Sequence, residues 1–284
     1  MRFTTLVPTG ELARHLDDPA WVVVDCRHDL ANPAAGELAY RKSHIPGARF
    51  LHADRDLSGP TTGANGRHPL PDPDAFMAKL GAIGIDPGKQ VVVYDAQGGG
   101  ICSRLWWMLK HWLGHEAVAV LDGGWAKWLR DDYPETAEIP VPAPTVYRAT
   151  PRPAVVDTDF VALHLRDPWY LVLDARSAER YRGEAETIDP AAGHIPGAVN
   201  RFFRDNLAAD GTFKDPPTLR AELAALLRDV PPERVIHQCG SGVSACLNQL
   251  AMEVAGLAPG RLYVGSWSEW CADPARPRAT GAAP

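Results

Sequence analysis

The sequence predicts an α/β protein of two tandem domains, each a mainly parallel sheet flanked by helices. Three observations carry this reading. Short sequence pieces recur in the same order in both halves, apolar runs of strand length alternate with helically patterned segments, and a proline-dense stretch divides the halves.

The repeat is the strongest of the three. Val23-Val24-Asp25-Cys26-Arg27 returns as Val172-Leu173-Asp174-Ala175-Arg176, and Ser43-His44-Ile45-Pro46-Gly47-Ala48 returns as Gly193-His194-Ile195-Pro196-Gly197-Ala198. Downstream, Leu121-Asp122-Gly123-Gly124-Trp125 is answered by Tyr263-Val264-Gly265-Ser266-Trp267. A solenoid period would be several times shorter, so this is duplication of a whole domain. The boundary falls in Pro140-Val141-Pro142-Ala143-Pro144, followed by Pro151 and Pro153. We therefore expect a first domain over 1–138, a semi-rigid linker over 139–153 and a second domain over 154–284.

Within the first half, continuous apolar runs over 21–25, 91–94 and 118–121 suit strands buried on both faces. Helical spacing covers 73–80 and 102–113. The second half repeats the pattern, with strands over 170–173, 235–236 and 261–264 and helices over 217–227 and 244–255.

With 284 residues, 45% of them hydrophobic, the chain can fill two cores. No stretch approaches the length of a membrane span, and the first residues lack the apolar run of a signal peptide, so a cytoplasmic location is expected. The net charge of −6 excludes an extended nucleic-acid surface. Five cysteines (Cys26, Cys102, Cys239, Cys246, Cys271) are scattered without a Cys-x-x-Cys pair, which predicts reduced thiols and neither disulfides nor zinc.

Chemistry concentrates in Val235-Ile236-His237-Gln238-Cys239-Gly240-Ser241-Gly242-Val243-Ser244-Ala245. The pattern is a short strand, a glycine-punctuated loop and the start of a helix. Gly240 and Gly242 allow successive backbone N–H groups, through Val243 and Ser244, to turn inward as an anion-binding nest at the helix's positive end. A thiol at its centre is stabilised as the nucleophilic thiolate. In the first half the corresponding stretch is Asp95-Ala96-Gln97-Gly98-Gly99-Gly100, with Ala96 at or near the place of Cys239. Cys102 beyond it reads as a packing residue.

The loop Cys-Gly-Ser-Gly-Val-Ser-Ala resembles the active-site loop of the two-domain, tandem rhodanese sulfurtransferases. More narrowly it is similar to that of the 3-mercaptopyruvate sulfurtransferases; the thiosulfate-specific rhodaneses usually carry basic residues there. The resemblance spans nearly the whole chain. It implies a first domain that is structural and cleft-forming and a second that is catalytic. The implied reaction moves sulfane sulfur from 3-mercaptopyruvate, through a persulfide on Cys239, to cyanide or a thiol such as thioredoxin or glutathione. Thiosulfate is the alternative donor. No cofactor, nucleic acid or membrane is implied.

The same resemblance assigns site residues. Asp174-Ala175-Arg176-Ser177-Ala178-Glu179-Arg180-Tyr181-Arg182-Gly183 is similar to a family segment whose second arginine, here Arg180, holds the substrate carboxylate. A further arginine expected in a Pro-Glu-Pro-Arg-like run is replaced by Glu186-Thr187-Ile188-Asp189-Pro190-Ala191. Arg176 is read as structural, because Arg27 repeats it beside no nucleophile. A serine, histidine and aspartate set handling protons is implied at Ser241, His68 and Asp54, the last two contributed by the first domain.

The readings from other classes are weaker. His44 and His194 suggest a metal, but both sit in the repeated turn and no third ligand is suitably spaced, so they are expected to hold that turn. A Cys-dependent phosphatase would need arginine six residues after the cysteine, where this chain has Ala245. A non-catalytic binding module would have no use for the cysteine in its glycine loop.

Overall fold

The computed structural model describes residues 2–284, and the chain divides into two units. The first comprises residues 2–59, 70–153 and 207–213, and the second 60–69, 154–206 and 214–284. Each domain thus takes in a short segment from the other half of the sequence. The segment 139–153 packs with the first unit.

The first unit holds a five-stranded sheet of β1 (Leu6–Val7), β2 (Trp21–Asp25), β3 (Arg49–Phe50), β4 (Gln90–Tyr94) and β5 (Val118–Leu121), in the order β1-β5-β4-β2-β3. Every pairing is parallel. The second unit repeats it with β6 (Val155–Val156), β7 (Leu171–Asp174), β8 (Val199–Asn200), β9 (Val235–Gln238) and β10 (Arg261–Tyr263), in the order β6-β10-β9-β7-β8. All of its pairings are also parallel. The sequence reading misses β1, β3, β6 and β8, since two residues are too few for a periodic signal.

Central β4 and β9 are buried throughout; β4 reads as an apolar run over 91–94, whereas β9 continues past the expected 235–236 through the buried polar residues His237 and Gln238. Aspartate side chains cap three of the helices, at Asp72, Asp157 and Asp215. Asp72 accepts from the Ala75 N–H (2.9 Å) ahead of Pro73–Ala82, and Asp215 accepts from the Thr218 N–H (3.0 Å) ahead of Pro216–Leu227. The helix expected over 102–113 changes pitch. It is α-helical over Cys102–Trp107 and a π-turn over Met108–Trp112, closed by a Leu113 N–H bond to the Met108 carbonyl (2.9 Å).

The repeated motifs do the same work in both units. His44 Nδ1–H donates to the Tyr40 carbonyl (2.7 Å) and its ring stacks on Tyr40; His194 Nδ1–H donates to the Tyr181 carbonyl (2.8 Å) and stacks on Tyr181. These histidines hold the turn. Buried Asp25 and Asp174 each bind the backbone N–H and guanidinium of the arginine two residues on, and Arg27 and Arg176 each lie 4.8 Å over Trp125 and Trp267 respectively. Arg176 is committed to that arrangement, as its repetition predicts.

Candidate active site

Cys239 follows central β9 directly, at the carboxyl end of the strand, where parallel α/β sheets bind ligands. Its loop is pinned from the adjoining helix Ser266–Trp270. The Trp267 N–H donates to the Cys239 carbonyl (3.0 Å), the Ser268 N–H to the Gly240 carbonyl (2.9 Å) and the Cys239 N–H to Ser266 Oγ (3.2 Å). Gly242 sits at φ +74°, and a Cβ there would lie 2.3 Å from the Val264 carbonyl oxygen, so only glycine fits.

The Ser241 N–H points at Cys239 Sγ (3.5 Å), as the nest requires. Val243 and Ser244 complete the loop, and the helix Ala245–Val254 begins one residue later than the expected 244, after a tight turn closed by the Cys246 N–H to the Val243 carbonyl (3.2 Å). All five cysteines are buried and none is in a disulfide. Burial raises the thiols of Cys26 and Cys102 well above the usual range, and neighbouring carboxylates add to it. Those thiols are inert.

Ser241 Oγ is hydrogen-bonded to His68 Nδ1 (2.7 Å), and both side chains are buried. His68 is numbered in the first half of the chain, but its segment 60–69 packs as part of the second unit. The attachment is visible next door: the Arg67 N–H donates to Ser268 Oγ (3.1 Å), on the same helix that pins the loop. Asp54 lies in the first unit. There its carboxylate is 3.6 Å from His28 Nε2 and its N–H donates to His52 Nδ1 (3.1 Å). His28, His52 and Asp54 form a cluster of metal-ligand type, but His52 spends Nδ1 on that N–H and Nε2 on the Pro33 carbonyl (3.0 Å). With both ring nitrogens of His52 engaged by the backbone, the three do not make a metal centre.

Arg180 reaches the loop, and it does not come alone. A Cβ on Gly240 would lie 3.4 Å from Arg180 Nη1 and 2.8 Å from Arg67 Nη2, so two guanidinium groups converge beside the residue that follows Cys239. Burial lowers Arg67 from its usual range, and the proximity of Cys239 acts in the opposite direction. The loop carries no charge of its own, yet cations flank it.

Behind them stand Glu186 and Asp189. Glu186 takes Nε and Nη2 of Arg180 (3.1 and 2.9 Å), and Asp189 accepts from Arg180 Nη2 (3.0 Å) and from Arg67 Nη1. Sequence reasoning leaves Arg67 and the two carboxylates without a role. The available signals are the adjacency of Arg67 to His68 and a pair of acids where a further arginine was expected.

The first unit corrects one alignment. β4 ends at Tyr94, so the residue matching Cys239 is Asp95, not Ala96. The Trp125 N–H donates to the Asp95 carbonyl (2.9 Å) just as Trp267 does to that of Cys239. The slip arises because the first loop is one residue longer before its helix. The Asp95 carboxylate turns back into its own loop and accepts from the N–H groups of Gln97 (2.8 Å), Gly99 (2.8 Å), Ile101 (2.8 Å) and Cys102 (2.9 Å). Here the nest holds a built-in anion.

Comparison with known proteins agrees with this geometry. The rhodanese-like domain family matches twice, over residues 9–131 and 157–273. A probable 3-mercaptopyruvate sulfurtransferase of Pseudomonas aeruginosa is 44% identical over 284 residues, covering 99% of this chain and 100% of its own length. A putative thiosulfate sulfurtransferase of Mycobacterium tuberculosis is 36% identical over 296 residues, covering 99% of each. Among solved structures, a 3-mercaptopyruvate sulfurtransferase from Leishmania major superposes with a TM-score of 0.82 at 28% identity, covering 94% of this chain and 74% of its own. Two matched domains on a repeated parallel sheet make this chain a tandem member of the rhodanese-like family and a sulfurtransferase.

Proposed function

We propose that the enzyme takes sulfane sulfur from 3-mercaptopyruvate onto Cys239 and passes it to cyanide or a small thiol. The observation that carries this reading is the 2.7 Å contact of His68 with Ser241 in the loop of Cys239. The Cys239 thiolate attacks the donor sulfur, a sulfur–sulfur bond forms, and the carbon–sulfur bond breaks with its electron pair left on carbon as the enolate of pyruvate. That carbanion needs a proton. Ser241 hydroxyl supplies it and is reprotonated through His68. The acceptor then attacks the outer sulfur, the sulfur–sulfur bond breaks, and the thiolate returns, so turnover is ping-pong.

The keto acid also carries one carboxylate, and the two guanidinium faces beside Gly240 suit it. Thiosulfate is the second reading. Its leaving group, sulfite, is stable without a proton, the two guanidinium faces can also donate to its oxygens, and a relative is named a putative thiosulfate sulfurtransferase. The test is steady-state sulfur transfer to cyanide with each donor. A kcat/KM for mercaptopyruvate more than about tenfold above that for thiosulfate supports the first reading, and the reverse ranking overturns it. Cys239→Ser is expected to abolish turnover with both donors; retained activity removes the persulfide step.

A further inference from the structure

The two guanidiniums beside Cys239 are the exposed end of a buried, sign-alternating chain. Asp174 pairs with Arg176 (2.7 Å), Arg176 with Glu186 (3.6 Å), Glu186 with Arg180 (2.9 Å), Arg180 with Asp189 (3.0 Å), and Asp189 with Arg67. Three carboxylates face three guanidiniums. The acids are sealed from water, with Asp174, Glu186 and Asp189 side chains 0%, 2% and 1% exposed, whereas Arg180 and Arg67 are 20% and 27% exposed.

Hydrogen-bond direction shows what each end of the chain is for. Arg180 spends Nε and Nη2 on the acids and leaves Nη1 toward Gly240; Arg67 spends Nη1 and leaves Nη2 toward the same point. Glu186 also accepts the N–H groups of Ile188 (2.9 Å) and Asp189 (3.0 Å), so it builds the turn that positions Asp189. The site therefore presents N–H donors without presenting surplus charge. A buried ion chain is weak evidence for stability, and its retention beside a nucleophile calls for another role.

We propose that Glu186 and Asp189 determine donor selectivity: by balancing Arg180 and Arg67 from behind, they leave a pocket that binds a monoanionic keto acid and discriminates against dianions such as thiosulfate. This rests on the mercaptopyruvate reading. An excess positive charge would favour the dianion more than the monoanion, because the Coulomb attraction scales with ligand charge in a partly desolvated site. Donor geometry would change little, since asparagine and glutamine keep the shape and one acceptor.

The experiment has two arms, with Asp189→Asn and Glu186→Gln both made so that a poorly folding variant does not decide the outcome. In the first, the ratio of kcat/KM for mercaptopyruvate to that for thiosulfate is expected to fall about tenfold or more, through a lower thiosulfate KM. An unchanged ratio, or equal losses with both donors, overturns the proposal and leaves the acids as mere arginine props. In the second, sulfate serves as an inert dianion, and its binding is measured by calorimetry to Cys239→Ser with and without Asp189→Asn. Binding about tenfold tighter with the second substitution is expected, and equal binding overturns charge balancing. This arm needs no turnover, so it stands if the wild-type enzyme proves to prefer thiosulfate and only the donor assignment falls.

Discussion

His68 Nδ1 lies 2.7 Å from Ser241 Oγ, a bond between residues 173 positions apart that joins the segment 60–69 to the loop of Cys239. It separates two kinds of donor, because a pyruvate enolate must be protonated as it leaves and sulfite need not be. Ser241→Ala and His68→Asn are each expected to lower kcat with mercaptopyruvate about a hundredfold while changing thiosulfate turnover less than about fivefold. Parallel losses with both donors would mean that the pair shapes the loop and moves no proton.

The Asp95 carboxylate closes the first unit's loop with four backbone N–H bonds. Asp95→Asn can serve two of those donors at most and presents N–H to the others. A loss of about 2 to 4 kcal/mol in stability is expected from denaturant unfolding. A change below about 0.5 kcal/mol would show that water replaces the carboxylate without penalty.

Gly242 at φ +74°, packed against the Val264 carbonyl, admits no side chain. Gly242→Ala is expected to displace the loop and remove sulfur transfer with both donors, with a stability loss of about 2 kcal/mol or more from the left-handed backbone and the clash. Wild-type kcat in that variant would show that the loop's backbone conformation is dispensable.

His237, on β9 two residues before Cys239, is fully buried, and desolvation depresses it to about 3 from an ordinary 6.5. The unfolded chain takes up a proton below pH 6.5 that the folded chain refuses until about pH 3, so stability is full above the higher value and falls as pH drops through that window. By pH 5 this one group accounts for a loss of about 2 kcal/mol. His237→Leu should flatten that part of the profile in unfolding measurements from pH 8 to 5; an unchanged slope would assign the acid sensitivity to other groups.

Much of this was legible in the chain because its signals are local. The runs over 91–94 and 118–121 read as strands since residues buried on both faces must be apolar consecutively, and the turns at His44 and His194 read as structural since the repeat places one of them in a domain without a nucleophile. The π-turn at Met108–Trp112 was not legible, because helical spacing is unchanged until one hydrogen bond shifts register. The counterpart of Cys239 reads as Ala96 rather than Asp95 for the same kind of reason: glycine-rich loops of unequal length have no period to align.

The sequence by itself determined the duplicated α/β architecture and the place of Cys239 between a strand and a glycine loop, both of which follow from short-range pattern and repetition, whereas Arg180 was singled out only by the family resemblance of its segment. Tertiary structure alone decided the neighbours of that cysteine. Arg67 arrives from 60–69, and Glu186 and Asp189 become counter-ions rather than surface charges, because burial pairs groups by distance in space and leaves no trace in spacing along the chain.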